Sequence, residues 1–123
     1  MPSTFKDKKT FDERKAMADH LKEKYPDKVP IICDNANKTD APISGKNKFI
    51  VPNDFTVGQF IYKVLRERIK LSRGEALFIF VNGVVPPANE SLSAIYKEHR
   101  DNDGFLYITY SLEATFGQVG TEL

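Results

Sequence analysis

Few residues in this chain could carry covalent chemistry. They are Cys33, His20, His99, the acidic turn Asp101-Asn102-Asp103-Gly104, and a Phe116-Gly117 step close to the C-terminus. A reactive thiolate needs a neighbouring cation or a helix start. Cys33 sits instead in the β-branched run "KVPIICDN", which predicts a buried strand cysteine. His20 falls on the polar face of a predicted helix and His99 at the end of another, so both are expected to be solvated. One cysteine and two scattered histidines do not make a structural zinc set. The acidic turn, even with Glu113, lacks the glycine and glutamate spacing of a calcium loop and reads as a plain turn. No acid/base pair, triad or phosphate loop stands out, so no enzyme activity, metal or cofactor is expected.

The Phe-Gly step is different. The strand-like run "FLYITYS" gives way to Phe116-Gly117, and Gln118 to Leu123 follow with little that could pack. Such an ending is ordinarily a frayed terminus.

The elements that would position these residues follow from local pattern. A chain of 123 residues fits one domain, long enough to bury a core without a disulfide. Thr10 and Glu13 stand at capping-box spacing, predicting a helix that Pro26 ends, with a further helical turn in "STFKDKK". Strands are predicted at 28–35, 48–52 and 76–81, then an Asn82-Gly83 hairpin returning through Val84-Val85. Thr56 and Gln59 cap a main core helix over 57–70. Ser91 caps a short helix at 91–99, and 105–111 is the last strand. This order predicts an α+β, ubiquitin-like β-grasp with two additional N-terminal helices. The net charge of +1 argues against nucleic acid as a partner. The lone cysteine, the absence of a long apolar run and the polar start "MPSTFKDKK" lead us to expect a cytoplasmic protein.

Three stretches, "FIVPNDFTVGQF", "ALFIFVNG" and "SAIYKEHRDNDGFLYITYSLEATFG", closely resemble the autophagy-related protein 8 family of ubiquitin-like modifiers. The segments "STFK", "FDERKA", "PIIC" and "KFIVP" extend the resemblance over residues 3–117. It implies a helical extension at 1–26, a β-grasp core at 27–117 and a removable tail at 118–123. The resemblance implies a processing cysteine protease that cuts after Gly117, whose missing Cβ lets its carbonyl enter a narrow catalytic channel beside the bulky Phe116; Gly120 follows Val119 rather than an aromatic. Activating and conjugating enzymes would then pass the Gly117 carboxylate to phosphatidylethanolamine, on autophagosome membranes. The alternative is a noncovalent adaptor or cytoskeleton-associated peptide-binding module.

The resemblance also implies binding of cargo receptors and adaptors through an aromatic residue and an aliphatic one three positions later, added as a strand to a sheet edge. Side chains alternate along a strand, so two pockets on opposite faces are needed. By position, the aromatic pocket is Met17, Leu21, Pro30, Ile32, Lys48, Ile50 and Phe105, and the aliphatic pocket is Phe49, Val51, Pro52, Phe55, Phe60 and Val64. Lys28, Lys46 and Lys48 would meet flanking acids. The stretch between Phe60 and "RERI" is one residue longer than in several family members, which leaves Leu65 as a rival to Val64.

Overall fold

A computed structural model describes residues 4–35, 47–69 and 76–112. Two helices open the chain, α1 (Thr4–Lys8) and α2 (Phe11–Lys24). Thr10 caps α2 as the spacing predicts: its hydroxyl accepts from Glu13 N–H, and the Glu13 carboxylate accepts from Thr10 N–H. Tyr25 caps the other end, one residue before Pro26.

Four strands form one sheet: β1 (Lys28–Asn35), β2 (Lys48–Pro52), β3 (Phe78–Phe80) and β4 (Leu106–Ser111), in the order β2-β1-β4-β3. The outer pairings are antiparallel, and the central pair β1–β4 is parallel. Both faces of β1 are covered, so it reads as a continuous apolar run. Val29, Ile31 and Cys33 join the main core with Leu106, Ile108 and Tyr110 of β4. Ile32 faces the other way, into a second cluster with Phe5, Ala18 and Phe105. Helices α1 and α2 thus close one face of the sheet. The other packs on the helical run 57–68, called α3, and on α4 (Leu92–His99), capped by Ser91. This is the α+β, ubiquitin-like arrangement the element order predicts.

Two of the predicted elements need correction. The Asn82-Gly83 turn forms, with φ of 53° and 81°, but Val84 makes only an isolated bridge to Val81, and Val84 and Val85 are exposed. Among the described residues the hairpin therefore adds no strand; Pro86 and Pro87 follow at once and leave little backbone to pair.

The second correction concerns α3, which is not one regular helix. It is α-helical at Val57–Phe60 and Arg66–Arg68, with one π-helical turn at Ile61–Leu65 between them, where Arg66 N–H reaches back to Ile61 C=O. A π turn accommodates one extra residue inside an α-helix. Phe60 and Leu65, five apart, are both fully buried, and Ile69 follows four later. In an uninterrupted α-helix the residue after Phe60 on that face would be Val64.

The acidic turn is more than a plain one. Asp103 is fully buried: Arg14 Nη1 lies 2.7 Å from Oδ2, the Tyr107 hydroxyl donates to the same oxygen, and Phe105 N–H donates to Oδ1 at 2.8 Å. Lys6 pairs with Asp101 at 2.8 Å. Gly104 has φ of +96°, and a Cβ there would stand 2.9 Å from Ala18 Cβ. The N-terminal helices are therefore locked to the turn before β4.

Candidate functional site

The two predicted pockets meet on β2, which is an edge strand among the described residues. Its burial alternates as expected: Phe49 and Val51 are buried, while Lys48, Ile50 and Pro52 are half-buried.

Strand register assembles the residues assigned to the aromatic site. Pro30 pairs with Ile50 and Ile32 with Lys48, so four of the seven form a contiguous patch. Phe105 immediately precedes Leu106, the partner of Ile31. Met17 and Leu21, four apart on α2, are half-buried against the cluster of Ile32 and Phe105. Phe105 and Ile32 are themselves fully buried, and Phe5 of α1 meets the Phe105 ring edge-on at 5.3 Å. Ile50, Met17, Leu21 and Lys48 supply the accessible surface of this patch, over a floor of Pro30, Ile32 and Phe105.

On the other side lies a cavity of about 420 Å³ lined by Lys48 to Pro52 of β2, by Phe55, and by Lys63, Val64, Glu67 and Arg68 of α3. Five of the six residues assigned to the aliphatic site line it. The sixth, Phe60, stands behind the wall, its ring edge-on to Phe49 at 5.9 Å and fully buried. The π turn decides between Val64 and Leu65: Leu65 goes to the core and Val64 to the cavity.

Lys63, Glu67 and Arg68 were not foreseen. The Arg68 guanidinium sits 5.0 Å from the Phe49 ring centroid, and Lys63 Nζ 5.9 Å from that of Phe55. Their signal is the extra residue before "RERI", which shifts the helix phase in a way no local pattern specifies. With Lys48 they give the cavity three cations against the carboxylate of Glu67. Lys28 lies at the far end of β1, opposite Pro52, with Nζ 5.3 Å from the Tyr25 ring centroid. Lys46, Phe116 and Gly117 lie outside the described residues.

Other candidate groups have structural surroundings. Cys33 is fully buried, and burial followed by the Asp34 charge pushes its thiol well up, so it is protonated and inert at neutral pH. His20 is exposed, but His99 is half-buried with Nδ1 2.8 Å from Asn82 Nδ2, tying α4 to the Asn82-Gly83 turn. No group of three or more metal-ligating side chains occurs among the described residues, and none of their helices is long and apolar enough to cross a membrane.

The family model "Autophagy protein Atg8 ubiquitin like" matches residues 13–117. The chain belongs to the Atg8 family. Autophagy-related protein 8 of Mycosarcoma maydis is 53% identical over 119 residues, 97% of this chain and 100% of the relative. That of Coccidioides immitis is 54% identical over 117 residues, covering 95% and 99% respectively. The Atg8 crystal structure from Trypanosoma brucei superposes with a TM-score of 0.84 at 40% identity, covering 90% of this chain and 95% of that one. Plasmodium falciparum Atg8, solved with a Plasmodium falciparum Atg3 peptide, gives a TM-score of 0.81 at 34% identity, covering 92% and 98%. An autophagy-related role follows from this membership.

Proposed function

We propose that this Atg8-family chain is a ubiquitin-like modifier with no catalysis of its own, whose reactive atom is the Gly117 carboxylate. The observation that carries the reading is the family match ending on Gly117, directly after the aromatic Phe116. Hydrolysis of the Gly117–Gln118 bond by a cysteine protease releases residues 118–123 and leaves a terminal carboxylate. An activating enzyme joins that carboxylate to the nucleoside monophosphate part of a nucleoside triphosphate, releasing pyrophosphate; an enzyme thiol then displaces the nucleoside monophosphate to form a thioester, which exchanges onto a thiol of the conjugating enzyme. The amine of phosphatidylethanolamine displaces the last thiol and forms an amide. Two acyl chains then anchor the chain stably, where one would be marginal, and the cytoplasmic protein becomes bound to autophagosomes.

The groove along β2 is the proposed adaptor surface. An added strand supplies main-chain hydrogen bonds, the patch around Ile50 takes an aromatic side chain, and the cavity beside Val64 takes an aliphatic one. Cargo receptors and adaptors carrying such motifs are the intended ligands. The Atg3 peptide of the Plasmodium complex supports a conjugating enzyme as another. Lys28, Lys46, Lys48, Lys63 and Arg68 would attract their acidic flanks.

Truncation tests the covalent step. A chain ending at Gly117 should be conjugated without the protease, and one ending at Phe116 should not. Covalent lipid on the chain ending at Phe116 would refute the carboxylate assignment. A pool in cells consisting only of the uncut chain would favour the noncovalent adaptor.

A further inference from the structure

The spacing of an aromatic residue and an aliphatic residue three positions on occurs four times in this chain: Tyr62/Leu65, Phe78/Val81, Phe105/Ile108 and Phe116/Val119. In the first three the aliphatic member is buried in the core, with 0%, 3% and 1% of its surface exposed. Phe116-Gly117-Gln118-Val119 is the fourth, and it lies beyond the last described strand. Acids flank it at Glu113 and Glu122, matching the cationic rim of Lys48, Lys63 and Arg68. We infer that, before cleavage, this segment is itself a ligand for the β2 groove of a second copy of the chain, Phe116 on the Ile50 patch and Val119 in the Val64 cavity.

Strand register excludes the chain's own groove. Ile50 is level with Pro30 and Tyr110 with Asn35, so Ser111 lies six residues further along the sheet than Ile50, about 20 Å. A strand added outside β2 is three strand spacings from β4, about 14 Å. The Phe116 Cα would need to lie about 24 Å from that of Ser111, and five residues span at most about 18 Å. The occupant must come from another molecule. The contact is head-to-tail, using different surfaces on the two copies, and so builds either a closed ring or an open filament.

The inference rests on the proposed groove and gives the scission a second consequence. Cutting after Gly117 separates Phe116 from Val119 and leaves the motif without its aliphatic anchor. Processing then both exposes the carboxylate and clears the groove for other ligands.

The test titrates a synthetic peptide of residues 112–123 into the chain ending at Gly117, followed by backbone amide NMR. A separate acidic-flanked Trp-x-x-Leu peptide is the control. We expect saturable binding of both at Lys48–Pro52, and at least a tenfold loss when the first peptide carries Val119→Ala. The uncut chain should show concentration-dependent association in sedimentation, and the chain ending at Gly117 should not. Binding of the control without the 112–123 peptide, or indifference to Val119→Ala, overturns the inference and leaves the groove standing. Failure of both peptides overturns the groove and this inference together.

Discussion

Arg14 and Asp103 are 89 residues apart in the chain, yet Nη1 of one lies 2.7 Å from Oδ2 of the other. The carboxylate is fully buried and the guanidinium nearly so. This pair, with the Tyr107 hydroxyl on the same oxygen, joins the N-terminal helices to the turn that starts β4. Removing one partner of such a pair leaves a buried group uncompensated. Asp103→Ala should therefore cost about 3 kcal/mol in urea unfolding; a loss below about 1 kcal/mol would place the pair among ordinary surface bridges.

Gly104 couples to the same junction by shape. Its φ of +96° already disfavours a side chain, and the nearest atom to an added Cβ is Ala18 Cβ at 2.9 Å. Gly104→Ala should destabilise by more than about 1 kcal/mol. Adding Ala18→Gly should recover the steric part and leave the backbone part, a nonadditivity that a double-mutant cycle reads directly.

The π turn makes a prediction of its own. Deleting Lys63 removes one residue from Ile61–Leu65, so the apolar stripe of α3 can continue in plain α-helical phase. The shortened chain should fold, with stability within about 1.5 kcal/mol of the parent, the range of tolerated repacking. It should bind a motif peptide more weakly, because the cavity wall loses a cation. Calorimetry with one acidic-flanked peptide checks this, and unchanged affinity would count against the wall's role.

Alkaline stability should report the buried thiol and phenols. Burial raises Cys33, Tyr96 and Tyr107, the last also through its hydrogen bond to Asp103. Each folded-state value lies above its unfolded one, so the unfolded chain ionises first and stability falls as pH rises. The fall should begin near pH 8.5, the ordinary thiol value, and steepen near pH 10, where exposed tyrosines ionise. Cys33→Ala should delete the first limb and keep the second. A melting series in which the parent shows no decline before pH 10 would contradict this.

How far the sequence revealed these features depended on whether the signal was local. Capping boxes at Thr10 and Thr56 and the alternation in "KFIVP" were legible because the interactions span only a few residues. The Arg14–Asp103 pair was invisible because nothing local distinguishes a buried turn aspartate from a solvated one. The return strand at Val84-Val85 was overread: the turn chemistry was right, but two prolines follow it. At the groove, register brought Pro30, Ile32, Lys48 and Ile50 together as positions alone suggested. Phe49 and Val51 proved to be core as well as wall, so truncating them would test folding before binding. Half-buried Ile50 and Val64 are the cleaner probes.

The central claim is that Gly117 becomes the site of an amide to a lipid headgroup. Mass spectrometry of the C-terminal peptide from the membrane-bound chain tests it most directly. The account predicts a peptide ending at Gly117 and carrying phosphatidylethanolamine, absent in Gly117→Ala. A membrane-bound chain that retains residues 118–123, or carries lipid at any other residue, would contradict it.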